Sequence, residues 1–225
     1  MTNTHRVISA VIAALCVAAA VEAQKSHIGI LAGPTAATMT GSYISSKSGL
    51  ELGFSFLATL DAEFGEHWGV AAGVGWYQKG GNKLQLADQD SGETTGYQTS
   101  YLAVPITGRY KFRFSMFSLA AYTGIEVGFG SSCQVKPGNQ FEFDETCEEQ
   151  TPGGTLEKLE VGIPFGLAWA IEFPGGSRFT IVDASYRMGL TNTLSAAEAA
   201  GQTAKNAVWV FQFGFAIPLY DSSND

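Results

Sequence analysis

The sequence has little positive charge and no long hydrophobic segment beyond its first residues. Lys and Arg number 13 against 21 Asp and Glu, which gives a formal net charge of −8 at pH 7. A surface that binds nucleic acid needs clustered Lys and Arg, so this balance argues against a nucleic-acid partner. After residue 21 no stretch has the roughly 20 consecutive apolar residues of a transmembrane helix. The sequence therefore excludes a helical membrane protein.

Cysteine is also rare, with 3 residues in the chain. Cys16 falls in the N-terminal segment, which leaves Cys133 and Cys147. In an oxidising compartment these two residues are expected to form a disulfide, and closing a loop of about 15 residues stabilises a fold by roughly 3 kcal/mol. Two Cys without a nearby His make a poor metal site, and the sequence predicts neither a metal nor another cofactor.

The N-terminal segment has the features of a secretory signal peptide. Arg6 supplies a positive start, and residues 7–21 form an apolar core too short to span a membrane as a helix. Compact residues stand at the cleavage positions before and at Ala23. We therefore expect residues 1–23 to be a signal peptide and residues 24–225 to form one exported β domain.

The remaining chain is rich in glycine, aromatic residues and alternating hydrophobicity. Gly occurs 27 times and aromatic residues make up 12% of the chain. The clearest alternation covers residues 206–219, where the odd positions are apolar and mostly large while the even positions are small or mildly polar. Successive side chains of a strand leave opposite faces, so this run predicts a β-strand. About 9–11 tilted residues are enough to cross a bilayer.

Similar runs recur along the chain and predict eight strands in all. They occupy residues 27–39, 50–61, 68–79, 101–110, 117–129, 159–172, 182–190 and 206–219. Short links (65–67, 111–114, 174–177) alternate with long ones (41–48, 80–96, 131–155, 191–205). Outer-membrane barrels have short periplasmic turns and longer external loops. The pattern predicts an all-β, eight-stranded antiparallel up-and-down transmembrane β-barrel with both termini in the periplasm.

The two faces of the strands differ in volume and charge. The interior of an eight-stranded barrel has room only for side chains, and the bulky aromatic face would overfill it. That face also carries almost no charge, as lipid requires at roughly 2–4 kcal/mol for each misplaced Lys or Arg. We therefore predict that ten aromatic residues face lipid: Phe54, Phe56, Trp68, Trp76, Phe165, Trp169, Trp209, Phe211, Phe213 and Phe215.

The opposite face is rich in Gly, Ala and Ser with scattered charges, and we predict that it lines the lumen. An ion or solute pathway lined by charge is one interpretation. The other is a buried network of opposite charges that fills a closed lumen, which eight strands favour because no continuous channel is expected. The predicted lumen residues are Glu51, Asp61, Lys79, Arg109, Glu126, Glu160, Glu172, Asp183 and Arg187.

The segment Tyr-Leu-Ala-Val-Pro-Ile at residues 101–106 resembles the Tyr-Leu-x-Ile-Pro-Leu motif of porin-family, PorT-like outer-membrane β-barrel proteins. The Gly-x-Glu pattern at residues 124–126 and the Gly-rich early strands are similar too. Residues 212–219 resemble the C-terminal signal read by the barrel-assembly machinery, although Leu219 replaces the usual aromatic and residues 220–225 follow it. The resemblance implies an outer-membrane location in a Gram-negative-type envelope more than it implies an activity.

Acidic residues cluster in the long link that contains the two cysteines. They lack the spacing of an EF-hand loop, so solvated loop charge is the preferred interpretation over Ca²⁺ binding. Divalent bridging to anionic lipopolysaccharide is a further hypothesis. The residues are Glu142, Asp144, Glu145, Glu148 and Glu149.

Catalysis by the exported chain is not expected. Its histidines, His27 and His67, map to the periplasmic rim and neither lies beside a Ser or Cys nucleophile, which argues against a lipid-A-modifying enzyme. We expect a structural or interaction role in surface contact, envelope integrity or an outer-membrane assembly; the alternative is a narrow porin or a hydrophobic-solute transport barrel. Expected partners are outer-membrane lipid, lipopolysaccharide, the barrel-assembly machinery during biogenesis and a further envelope protein.

Overall fold

A computed structural model describes residues 25–44, 49–87, 94–137, 145–147 and 154–221. The predicted signal peptide, residues 1–23, lies outside these residues. Among the described residues, no helix has the length and hydrophobicity needed to cross a bilayer. The elements in chain order are β1 (Lys25–Thr40), β2 (Glu51–Phe64), β3 (Trp68–Leu84), β4 (Thr95–Phe114), β5 (Phe117–Pro137), β6 (Glu145–Thr146), β7 (Leu159–Glu172), β8 (Arg178–Gly189), α1 (Ser195–Ala199) and β9 (Lys205–Asp221).

The eight long strands of the described chain close into a ring. Each pairs antiparallel with the long strand before and after it, and β9 pairs with β1 to complete the circle. The short β6 pairs with β5 at Gln134 and Val135, outside the ring. The predicted eight-stranded antiparallel barrel is confirmed.

Neighbouring strands are staggered, so the strands tilt around the barrel axis. A path that starts at Lys25 and follows directly paired residues around the ring returns to β1 at Thr35. An eight-stranded barrel closed in this way has an interior that side chains can fill. Closure also leaves no edge strand in the ring to pair with another chain.

The two ends of the barrel differ in the length of their links. At the turn end, the strands are joined by residues 65–67, Ser115 with Met116, and residues 173–177. At the loop end, they are joined by residues 41–50, 85–94, 138–158 and 190–204. Both Lys25 of β1 and Asp221 of β9 lie at the turn end, where they pair with each other.

Several predicted strand ends were too short. Residues 111–114, predicted as a turn, belong to β4, and the chain reverses at Ser115 and Met116 instead. Ser115 adopts a positive φ of 53°, which suits a two-residue hairpin turn. At the loop end β3 continues to Leu84 and β5 to Pro137. In these extensions the backbone pairing of neighbouring strands continues beyond the predicted ends.

The large apolar side chains lie on the outside of the barrel. Along β9, Trp209 is 49% exposed and Phe213 is 58% exposed, whereas Val210 and Gln212 between them are 0% and 2% exposed. The other aromatic residues that the sequence assigned to lipid also lie on the outer face. Trp76 is the one that is only half-buried rather than exposed. A closed ring of eight strands with this surface presents a continuous apolar belt.

A bulge in β8 changes which residues of that strand face inward. The pairing of β8 with β9 shifts between Thr180 and Asp183. Ile181 and Val182 both lie on the outer face, 37% and 36% exposed. The extra residue reverses the alternation, so the even positions before it face inward and those after it face outward. As a result Arg178, which precedes the predicted start of the strand, is 6% exposed inside the barrel.

Candidate functional site in the barrel interior

A cluster of five charged residues fills the barrel near the turn end; we name Asp61, Glu63, Arg109, Lys111 and Arg178 the turn-end cluster. Arg109 Nη1 forms an ion pair with Asp61 Oδ1 at 2.8 Å, and Arg178 Nη2 donates to Asp61 Oδ2 at 2.8 Å. Arg178 Nη1 also lies 3.3 Å from Glu63 Oε1, and Lys111 donates to that carboxylate. Two carboxylates thus face three cations, and each carboxylate forms ion pairs with two of them, which gives every buried charge a partner.

At the turn-end opening of the barrel, partly exposed charged side chains extend the turn-end cluster. Arg113 donates to Glu63 and to the carbonyl oxygen of Glu66, and its Nε lies 3.8 Å from Glu172 Oε2. The side chain of Glu172 is 32% exposed, so it belongs to this mouth rather than to the interior where the sequence placed it. The reason is its position at the last residue of β7, next to solvent. Inward alternation alone does not bury a side chain at the end of a barrel.

A second charged group lies closer to the loop end; we name Lys79, Glu126, Glu160, Arg187 and Asn206 the loop-end cluster. Lys79 Nζ donates to Glu126 Oε1 at 3.0 Å and to Glu160 Oε1 at 2.5 Å. Arg187 donates to the other oxygen of Glu126, and Asn206 Nδ2 donates to the other oxygen of Glu160 at 2.5 Å. All five side chains are at least nine-tenths buried. Every carboxylate oxygen in the cluster accepts a hydrogen bond.

Tyrosine rings pack against the interior cations. The Arg187 guanidinium lies 4.1 Å from the centre of the Tyr77 ring, and Lys79 Nζ lies 5.1 Å from that of Tyr101. Both rings are fully buried. A cation held over a desolvated ring gains roughly 2 kcal/mol. The tyrosines thus fill lumen volume, and their rings offset part of the desolvation cost of the buried cations.

Asp183 lies between the two clusters. Tyr122 donates its hydroxyl proton to Asp183 Oδ1 at 2.5 Å, and the Arg109 guanidinium lies 5.3 Å from the centre of the Tyr122 ring. Tyr122 lies over Gly166 of β7, and a Cβ at that glycine would collide with the ring. Glu51, the remaining predicted lumen residue, is 9% exposed on the inner face of β2 near the loop end.

The described interior contains two small cavities on either side of Arg109 and Asp183. Their volumes are about 30 Å³ and about 20 Å³, and both residues line both cavities. One water needs roughly 10–15 Å³ of such volume, so each cavity has room for one or two waters. These spaces are too small for a larger solute.

Above the loop-end cluster the interior becomes apolar. Inward-facing residues of the extended strands pack against residues from the links 41–50, 85–94 and 190–204. Every residue of this group is at most 2% exposed. This apolar group was not predicted from the sequence, because most of its members fall in segments predicted as links. We name the group the loop-end cap: Met39, Tyr43, Leu84, Leu86, Tyr97, Val135, Leu194, Ala197 and Ala204.

The predicted disulfide is present and packs against the loop-end cap. Cys133 of β5 is bonded to Cys147, with their Cα atoms 5.4 Å apart. The backbone N–H of Cys147 also donates to the carbonyl oxygen of Cys133 at 3.3 Å. Most of the predicted acidic cluster (Glu142, Asp144, Glu148, Glu149) and the side chain of Glu145 lie outside the described residues.

The described histidines are engaged with backbone carbonyls at the turn end. His27 Nε2 donates to Gly176 O at 3.0 Å, and His67 Nδ1 donates to Lys111 O at 2.9 Å. A general base that activates a hydroxyl or thiol must hold that nucleophile within hydrogen-bond reach. These two rings instead hold backbone carbonyl oxygens at that distance.

Sequence reasoning missed three members of the turn-end cluster. Glu63 continues the inward odd-numbered series of Asp61, and Lys111 continues that of Arg109. Both could have been found by extending the alternation beyond the predicted strand ends. The inward position of Arg178 could not be found in this way, because the bulge in β8 reverses the alternation between Arg178 and the rest of the strand.

The chain is an outer-membrane β-barrel protein. Residues 22–195 match the family described as "Outer membrane protein beta-barrel domain", and the chain belongs to that family. This family is broader than the porin-family, PorT-like group, which stays a prediction from residues 101–106.

Solved structures of similar outer-membrane proteins cover most of the chain. The attachment invasion locus protein Ail of Yersinia pestis is 16% identical, with 86% of this chain and 99% of that chain covered and a TM-score of 0.42. Neisserial surface protein A is 15% identical, with 85% and 96% covered and a TM-score of 0.42. OprG of Pseudomonas aeruginosa is 13% identical, with 88% and 98% covered and a TM-score of 0.47. No curated protein sequence matches the chain.

Proposed function

We propose that the protein is a closed, non-conducting barrel with a structural or interaction role in the outer membrane, and that it presents its loop end to other molecules. The observation that carries this proposal is the filled interior. Two clusters of ion-paired side chains and the loop-end cap lie one above another along the lumen. The cavities between them have volumes of about 30 Å³ and about 20 Å³, which suit single waters rather than a solute path.

The proposal includes an orientation and a set of partners. In outer-membrane barrels short turns face the periplasm and longer loops face outward, so we assign the turn end and both chain termini to the periplasm. Residues 1–23 would then direct export. The apolar belt would contact outer-membrane lipid and lipopolysaccharide, and β9 would be recognised by the barrel-assembly machinery. A further envelope protein would bind at the loop end. No catalytic step is proposed.

Planar-bilayer recording separates this proposal from a narrow porin. We expect the purified, folded barrel to insert without producing stable conductance steps, because Lys79 and Glu126, which block the lumen, are each held by two ion pairs. Heat-modifiable gel mobility of protein recovered from the same vesicles verifies folding, and a large-pore porin in the same bilayer verifies sensitivity. Reproducible steps of constant size from the folded protein would contradict the closed lumen and support transport.

A further inference from the structure

A groove follows β1 on the outer, lipid-facing surface of the barrel. The outward side chains in the middle of this strand are small, and the paired positions of β2 and β9 on either side carry large apolar ones. Ala32, for example, lies between Phe56 and Phe213. These two rings are 44% and 58% exposed, so they stand out from the barrel wall as ridges. We name this feature the β1 groove; its floor and walls include Ala32, Pro34, Ala36, Phe56, Trp209 and Phe213.

The dimensions of the β1 groove suit a single hydrocarbon chain. Neighbouring strands lie about 4.8 Å apart, so the backbones of β2 and β9 are separated by roughly 10 Å, and the wall side chains narrow the space between them. The floor, residues 32–36, extends over roughly 13 Å at about 3.3 Å per residue. One leaflet contributes half of a hydrocarbon core that is about 30 Å thick, so an acyl chain along the floor has a matching length.

At the loop end the β1 groove leads to a lysine. Lys205 is the first residue of β9, pairs with Thr40 of β1, and is partly exposed on the same outer face as Trp209. Within the described part of the chain, no carboxylate forms an ion pair with Lys205. Hydroxyl groups lie nearby, including those of Ser42 and Thr203, whose Oγ atoms are 3.4 Å apart at an exposed position. The groove therefore ends in a cation beside hydrogen-bonding groups.

The two strands that meet at this lysine have almost no acidic residues. β1 contains no Asp or Glu, and the single one in β9, Asp221, lies at the opposite, turn end. The whole chain has a formal net charge of −8 at pH 7, so Lys205 forms a local positive site on an acidic protein. A Lys at a membrane surface attracts anionic lipid headgroups while its aliphatic stem packs along apolar surface. The charge at the end of the groove is therefore complementary to a phosphorylated lipid.

We propose that the β1 groove binds one acyl chain of lipid A and that Lys205 pairs with a phosphate of the same molecule. Lipid A is the phosphorylated lipid of the outer leaflet, the side to which the loop end is assigned. The inference rests on the proposed function, because it uses that orientation. It adds a defined binding site on a belt that otherwise meets many lipids. The hydroxyls of Ser42 and Thr203 would face the sugars of the headgroup.

Native mass spectrometry of the purified, folded protein, titrated in detergent with diphosphorylated lipid A, tests the site. We expect the wild type to retain one lipid A, and Lys205→Ala to weaken its binding roughly fivefold, the effect of one Lys facing an anionic lipid. Ala36→Phe fills the groove and should weaken binding at least as much. Dephosphorylated lipid A should bind more weakly to the wild type and should not respond to Lys205→Ala.

Matched controls are Lys158→Ala and Ala121→Phe. Lys158 is an exposed lysine at the loop end that precedes β7, away from β1. Ala121 is a small outward residue of β5 between Tyr110 and Leu167. Both control variants should bind lipid A like the wild type.

Wild-type affinity for lipid A in the Lys205→Ala or the Ala36→Phe variant, with folding verified by heat-modifiable gel mobility, would overturn the proposal. Phosphatidylglycerol that binds as tightly as lipid A and responds equally to both variants would also overturn it, since the occupant would then be a phospholipid. If Ala36→Phe does not fold, Lys205→Ala and its control decide. The closed lumen is tested separately by conductance, because the groove lies on the outside of the barrel.

Discussion

Replacing Glu126 with Gln is expected to destabilise the barrel by about 3–5 kcal/mol, since it leaves the buried Arg187 without its carboxylate partner and Lys79 with Glu160 alone. Glu126 is 2% exposed and receives hydrogen bonds from both Lys79 and Arg187. Gln keeps the shape but not the charge, so both cations lose their shared counterion. Equilibrium unfolding in urea, with the protein refolded into lipid vesicles and followed by tryptophan fluorescence, measures the change.

The matched control for that variant is Glu66→Gln. The Glu66 side chain is 91% exposed at the turn end, beside His67 at 3.9 Å. A change at an exposed position away from packed groups should alter stability by no more than about 0.5 kcal/mol. If both variants proved equally stable, the loop-end cluster would contribute charge to a hydrated lumen rather than hold a closed one.

The second large effect is expected on the opposite face of the barrel. Phe213 stands at the middle of β9 and is 58% exposed on the outer surface. An Arg at the bilayer midplane of a lipid-facing strand costs about 2–4 kcal/mol, so Phe213→Arg should destabilise the folded barrel by that amount. The same urea titration in vesicles measures the difference from wild type.

The control for Phe213→Arg is the same substitution at a position expected to lie near the membrane interface. Leu219 lies on the same outer face near the turn end and is 56% exposed. The cost of a cation falls to about 0–1 kcal/mol near the membrane interface, so Leu219→Arg should be tolerated. Equal costs at the two positions would mean that β9 does not cross a bilayer in this orientation.

The closed barrel was predictable because two independent signals agree. Period-two alternation identifies which segments are strands, and the alternation of short and long links fixes how they are joined. The interior charges followed from the same alternation wherever the strand was regular, as for Lys79 of β3 and Glu126 of β5. One face of β9 is apolar along most of its length, which leaves little ambiguity about its register.

The turn-end cluster was only half predictable, for reasons of local backbone geometry. Glu63 and Lys111 lie just beyond the predicted strand ends at residues 61 and 110, so only an extension of the alternation past those ends would have included them. Arg178 precedes a bulge, and no periodic pattern can carry the inward face across an inserted residue. Sequence alternation thus finds the middle of each strand better than its ends.

The loop-end cap could not be predicted from local pattern at all. Its residues come from several links, and Leu86, Leu194 and Ala204 lie outside the long strands. Their burial depends on contacts between segments far apart in the chain, such as Tyr43 N with Thr203 O at 2.9 Å. No periodic pattern in the sequence indicates that such distant segments contact each other.

Accessibility of single spin labels along β9 tests the assignment of faces most directly. Residues 211–215 are each replaced in turn by Cys, in the background with Cys133→Ser and Cys147→Ser, labelled, and reconstituted in lipid vesicles. Collisions with oxygen, which partitions into lipid, should peak at the positions of Phe211, Phe213 and Phe215 and be low at Gln212 and Gly214, which face the packed interior. Peaks at positions 212 and 214 instead, or a profile without a period of two, would contradict the outward placement of the aromatic face.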